Sequence, residues 1–271
     1  MEPAGDDTFR GRCLTGATGR LFGGQVLAQA LHAVGLYVGA DRPPHSLHAY
    51  FLRPGSVGQP VVYTVTTMKV GRSLSAGRVD ARQGEHVILT AQASFHAPEA
   101  SPEFQITIPS VPAPDQLSRS DYFPAGTNPL VRAPFDIRYA HAAPISEKVA
   151  EPRQDVWFRA VDVLPDLPLL HACALVYAID LTLTRTVHMA LRDLPLPRLG
   201  ASLDHSMWFH RPLRADGWML FSQRATTYAG GRSLARGEVF DPAGQLVASA
   251  VQEALIRAPR AAVHGGGASV T

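Results

Sequence analysis

The chain repeats itself. Gly71-Arg72-Ser73-Leu74 returns as Gly231-Arg232-Ser233-Leu234, 160 residues further on. Held at that offset without a gap, Gly77, Val79, Gly84, Val87 and Gln92 meet Gly237, Val239, Gly244, Val247 and Gln252, giving nine identities over positions 71–95. A second block lies upstream, where Ala49-Tyr50-Phe51-Leu52-Arg53-Pro54 matches Met207-Trp208-Phe209-His210-Arg211-Pro212 at an offset of 158. Two blocks in the same order at nearly the same offset point to duplication, with the length change taken up in a turn. Solenoid units run to roughly 20–45 residues, so a repeat this long implies that each half is a small domain.

Each half carries the same order of elements. In the first, Gly23-Gly24 opens an apolar run that reads as a helix, followed by strands near 46–53, 59–70, 74–82 and 86–96. In the second, a strand near 155–163 precedes Pro165-Asp166, and Asp166 is a candidate N-cap for a helix that starts at 167. Strands follow near 202–210, 217–227, 232–241 and 245–257. A helix packed on a curved antiparallel sheet, twice over, is an α+β arrangement. Between the halves, residues 98–134 hold eight prolines, which disfavour helix and central strand and mark an extended connector. Domains are therefore expected at 1–97 and 135–257, with 258–271 a disordered tail.

Composition narrows the partners. Hydrophobic residues make up 46% of 271, enough for a core. Net charge is +2 without a long single-sign run, so nucleic acid is not indicated. Two cysteines, Cys13 and Cys173, exclude a disulfide scaffold and a Cys-rich zinc site. The first residues carry acids and no apolar run of the secretory type. The most apolar stretch, 167–191, is interrupted by His171, Asp180, Arg185 and His188 and reads as a buried helix and not a membrane span. A cytoplasmic protein is expected.

Three polar residues stand out in apolar settings. On the helical run, Leu169, Cys173, Val176, Asp180, Leu183, Val187 and Ala190 form one stripe, and only Asp180 is charged. A carboxylate there needs partners, so Asp180 is either a candidate active-site group or a cap at a helix break bonded to nearby backbone. On the last strand, alternation puts Gln252 alone among Leu246, Ala248, Ala250, Ala254 and Ile256, either as a tie between strands or as a site residue. Gln92 instead shares its face with His86, Thr90 and Ser94, a wet face. A strand through 202–208 would set Ser202 with Asp204, Ser206 and Trp208 on one side. His205 and His210 raise a base or a metal site, but no HxH, HExxH or His/Cys ligand set is present, and metal is not expected. There is no G-x-S-x-G around Ser202, no P-loop and no dinucleotide fingerprint.

Phe22-Gly23-Gly24-Gln25-Val26-Leu27-Ala28-Gln29 and His45-Ser46-Leu47-His48-Ala49-Tyr50-Phe51-Leu52-Arg53-Pro54-Gly55 resemble the N-terminal hallmark of the type II acyl-CoA thioesterases (the TesB family). Pro109-Ser110-Val111-Pro112-Ala113-Pro114-Asp115, Leu203-Asp204-His205-Ser206-Met207-Trp208-Phe209-His210-Arg211-Pro212 and Ser249-Ala250-Val251-Gln252-Glu253-Ala254-Leu255-Ile256-Arg257 carry the likeness onward, so that it spans about Phe9 to Arg257. The resemblance implies a double hotdog, two tandem repeats each of a long helix wrapped by an antiparallel sheet. It implies hydrolysis of fatty acyl-CoA to free acid and CoA, without metal or organic cofactor, in a homodimer or larger homo-oligomer. Carried over by motif, the family's water-holding set falls on Asp180, Ser202 and Gln252. Ile179 stands where many members have Ser, and Ser202 where several have Thr. A non-catalytic acyl-CoA-binding protein and a hotdog enoyl-CoA hydratase are the alternatives; the hydratase would need an Asp and His pair at a helix start that this sequence does not show.

Overall fold

The computed structural model describes residues 1–14, 19–38, 42–120, 129–140, 151–191 and 200–257. The tail expected to be disordered and connector positions 121–128 lie outside the described residues. In the first part of the chain come β1 (Glu2–Pro3), β2 (Thr8–Gly11), α1 (Gly23–Val38), β3 (Pro44–Phe51), β4 (Val61–Val70), β5 (Leu74–Gln83) and β6 (His86–His96). After the connector come α2 (Pro129–Arg132), β7 (Phe135–Tyr139), β8 (Arg153–Ala160) and α3 (Pro168–Ile179). The last elements are β9 (Ala201–Ser202), β10 (Asp204–Phe209), β11 (Met219–Ala229), β12 (Arg232–Phe240) and β13 (Leu246–Leu255).

The strands form one sheet in the order β1-β2-β4-β5-β6-β3-β10-β13-β12-β11-β8-β7, with β9 also on β13. The order β4-β5-β6-β3 is mirrored by β11-β12-β13-β10, and the two runs join where β3 pairs antiparallel with β10, Ala49 against His205. Alternation fixes the inner face: Val61, Tyr63 and Val65 are buried on β4, and Ala248, Ala250 and Ala254 on β13. α1 buries Leu27, Ala30, Leu31 and Val34 against this face, at about 2 kcal/mol for each large aliphatic side chain.

α1 and α3 pack antiparallel. A Cβ on Gly35 would fall 2.4 Å from Leu169 near the start of α3, and one on Gly24 would fall 2.7 Å from Asp180 Cβ at its end. Glycine inside a helix costs about 1 kcal/mol relative to alanine, which this close approach offsets.

Several expectations need correction. The apolar stretch 167–191 is not one helix. α3 stops at Ile179, and a 3₁₀ segment covers Leu183–Met189. Thr182 and Thr186 turn their hydroxyls to Gln223: its Nε2 donates to Thr182 Oγ1 at 3.0 Å, and Thr186 Oγ1 donates to its Oε1 at 3.2 Å. Asp166 does not cap α3. The N-cap is Leu167, with no side-chain bond, and Pro168 follows where no N–H is needed. Asp166 instead accepts from Arg214 Nη1 at 2.7 Å. The connector is not extended throughout, since Pro114–Gln116 is a 3₁₀ turn and α2 lies within 98–134. The short strands β1, β2 and β7, two to five residues long, carry too few residues for alternation to mark them, and the strand expected near 202–210 is split into β9 and β10.

The start of α3 is held by charge. Arg214 donates to both oxygens of Asp216, at 3.0 and 2.9 Å, and Leu164 N–H donates to Oδ2 at 3.1 Å. The Arg214 guanidinium, with that backbone donor, holds the Asp216 carboxyl down at about 2. Because the unfolded value is about 3.9, the stabilisation is complete above pH ~4 and is lost as pH falls toward 2. Asp216→Asn should lower Tm by a few degrees at neutral pH and by much less near pH 2, read by thermal unfolding at both. An equal loss at both would remove the charge from the explanation.

Candidate active site

Asp180, Ser202 and Gln252 come from three elements and meet at one point. Asp180 is the residue on which α3 ends, with φ −67° and ψ −13°, and its side chain is only 6% exposed. Gln252, on β13, has no exposed surface. Its Nε2 donates to Asp180 Oδ1 at 2.6 Å and to Ser202 Oγ at 2.9 Å. The amide orientation follows from the chemistry, because turned over it would set a carbonyl oxygen against a carboxylate. Both readings of Asp180 thus meet in part. It does stand at a helix break, but its carboxylate bonds to a side chain 72 residues away and not to nearby backbone.

Strand phase decides the other two positions. Ser202 pairs with Ala254, whereas Ser206 pairs with Val251, so one extra residue is accommodated at Leu203. Asp204 fills the gap in the ladder, its Oδ1 accepting from Glu253 N–H at 2.8 Å. A bulge of this kind turns the preceding side chain to the opposite face. Ser202 therefore does not share a face with Asp204, Ser206 and Trp208, as plain alternation implies; it joins the inner face with the buried His205 and Met207. Gln252 points inward too, while Gln92 is exposed between the buried Ala91 and Ala93. The gapless offset of 160 is therefore one residue out of phase on β6 and β13, and Gln92 is not the structural counterpart of Gln252. Ladder registers shift at Ala81/Arg82 and at Val239/Phe240, and such shifts are invisible to a sequence comparison.

A cavity of about 650 Å³ opens in front of Asp180 and Ser202. Phe22, Phe51, Ile88, Leu89 and Val131 give it an apolar wall. Arg20, Arg53, Arg185, His188 and Arg257 also line it, so its charge is positive apart from Asp180. The first turn of α1 faces the carboxylate: a Cβ on Gly23 would lie 3.3 Å from Asp180 Oδ2. Phe22 closes the first intrahelical bond, Val26 N–H to Phe22 O at 3.2 Å, and its side chain has no oxygen to cap Gly23 and Gly24. Tyr177, one turn before Asp180, donates to Val131 O at 2.6 Å. Its phenol is raised above the ordinary value by burial and then by the Asp180 charge. Of the two histidines considered, His210 is exposed and bonds Ser249 Oγ at 2.9 Å, while His205 is fully buried 4.0 Å from Asp180 Oδ1. Among the described residues no three His, Cys, Asp or Glu side chains gather as metal ligands, and no helix is long and apolar enough to cross a membrane. No local pattern groups Arg20, Arg53, Arg185 and Arg257, which only the fold brings to one cavity.

A family model for the acyl-CoA thioesterase C-terminal domain matches residues 109–256, and one for the N-terminal domain matches 15–96. Acyl-coenzyme A thioesterase 8 of Homo sapiens is 34% identical over 95% of this chain and 86% of its own. Acyl-CoA thioesterase 2 of Haemophilus influenzae is 34% identical over 95% and 94%. Among solved structures, acyl-CoA thioesterase II TesB2 from Mycobacterium marinum superposes with a TM-score of 0.82 at 37% identity, covering 96% of each chain. A protein with a hot dog fold from Alicyclobacillus acidocaldarius reaches 0.80 at 24% identity over 93% and 94%, a likeness of fold alone. The fold is a hotdog, and the protein is a thioester hydrolase. More narrowly, the chain belongs to the type II acyl-CoA thioesterase family.

Proposed function

We propose that this protein hydrolyses fatty acyl-CoA to free fatty acid and CoA by direct attack of a water held by Asp180, Ser202 and Gln252. The observation that carries the reading is the Gln252 amide bonded at once to Asp180 and Ser202 beside a cavity with one apolar wall and a basic rim. A thioester carbonyl is electrophilic enough for a positioned water. Asp180 takes one water proton as the new C–O bond forms. Ser202 Oγ already accepts from Gln252, so its own hydrogen is free to fix the water, and the ordering is an entropic contribution. The carbonyl oxygen gains charge opposite the first-turn N–H groups of Gly23 and Gly24, at the positive end of α1. Collapse of the adduct breaks the C–S bond, and the departing thiolate takes up the proton held by Asp180, which restores the carboxylate. Arg20, Arg53 and Arg257 suit the phosphates of CoA.

The proposed architecture is a double hotdog, with tandem halves at 1–97 and 135–257 joined by the connector 98–134. The mirrored strand order supports it. A homodimer or larger homo-oligomer acting in the cytoplasm completes the reading, and sedimentation would report the assembly. The decisive assay is thiol release from acyl-CoAs of graded chain length. Release peaking at one length is expected. No release at any length, with CoA still bound tightly, would leave a binding protein.

A further inference from the structure

The two oxygens of Asp180 have different surroundings. Oδ2 lies on the side of Gly23, which lines the cavity. Oδ1 points back into the protein, where it accepts from Gln252 Nε2 and faces His205 Nδ1 at 4.0 Å. His205 has no exposed surface and does not line the cavity. The register that pairs Ser206 with Val251 brings His205 and Gln252 to neighbouring positions on β10 and β13. Both imidazole nitrogens are buried without a partner, and so is Gln252 Oε1. A neutral imidazole always carries one N–H, and leaving it unbonded in the interior is costly. Burial keeps this ring neutral, pulling its proton affinity below the ordinary value against the attraction of Asp180 and Asp204.

Resting on the assignment of Asp180 as the base, we propose that His205 is a positioning residue whose neutral ring donates Nδ1–H to Asp180 Oδ1 in the working enzyme. With the Gln252 amide it forms a two-donor anchor that turns Oδ2 toward the water. A shift of about 1 Å brings the pair within hydrogen-bond range, of the kind that free active sites make when substrate closes them. Among the described residues, the other charged or titratable groups that act on this pair are Asp204 on the same strand, whose Oδ1 is engaged by Glu253 N–H, and Tyr177 on α3. Arg185 and His188 line the same cavity as Asp180.

His205→Leu should lower kcat about 10–100-fold, with KM changed by less than about twofold. The acidic limb of kcat/KM should move to higher pH, because a donor favours the ionised carboxylate and its loss disfavours it. His205→Gln keeps an N–H and should recover most of kcat and the original limb. A Leu variant with the parent pH profile would overturn the proposal, as would a Gln variant no better than Leu. Imidazole ¹⁵N spectra of the unmutated protein decide it without any variant. A neutral ring protonated at Nδ1 is expected, whereas one protonated only at Nε2 removes the donor. If Asp180→Asn keeps turnover, the base assignment fails, and the ¹⁵N spectra still report on the His205 bond.

Discussion

Asp180→Asn is expected to lower kcat by about 10²–10⁴-fold while leaving KM for acyl-CoA within a few-fold. Asparagine is isosteric, and its Oδ1 can still accept from Gln252 Nε2, so the end of α3 and the wall of the cavity keep their shape. What disappears is the atom that takes the water's proton. Steady-state thiol release and a melting curve on the same preparation separate the two effects, with Tm expected to stay close to the parent. Near-parental turnover would remove Asp180 from the chemistry. Single-turnover hydrolysis in ¹⁸O-water adds a check on the route. Direct attack by Asp180 would label its carboxylate, and the proposed water route leaves it unlabelled.

Gln252→Leu has the second largest expected effect. Leucine fills much of the same buried volume and carries no polar atom, so packing is conserved while two hydrogen bonds are lost. Asp180 is then left buried without the amide donor, and Ser202 loses what orients its hydroxyl. A fall in kcat of about 10²–10³-fold is expected, with stability reduced by about 1–3 kcal/mol for the stranded partners. The split is the informative part. A structural tie between β13 and α3 would show the stability loss with kcat nearly intact, and kinetics together with denaturant unfolding distinguish the outcomes.

Much of the scaffold is legible because its signals are local. Gly23-Gly24 followed by an apolar run does open α1, and the boundaries of β5 and β6 fall within about a residue of the alternation that marks them. Asp180 and Gln252 are visible as lone polar residues in apolar patterns, because burying such a group demands a partner somewhere. The failures are equally local in origin. Periodicity carries the expected helix past Ile179, since Leu183 and Val187 continue its apolar spacing, and only the Thr182 and Thr186 bonds to Gln223 show why the backbone tightens. Asp166 has the residue type of a cap, yet Arg214, 48 positions away, claims it.

Sequence alone determined that two blocks of residues recur in the same order, that apolar helical runs are followed by antiparallel strands, and which few polar groups have no business in a core. Only the tertiary structure decided which way those groups point. A strand reverses its faces with each residue, so the extra residue at Leu203 brings Ser202 to the inner face, and a one-residue phase difference puts Gln252 inside where Gln92 is outside. The hydrogen bonds that gather Asp180, Ser202 and Gln252 span 50 and 72 residues. Contacts at such separations depend on how the two helices and the central β3–β10 pair come together, and no local pattern records them.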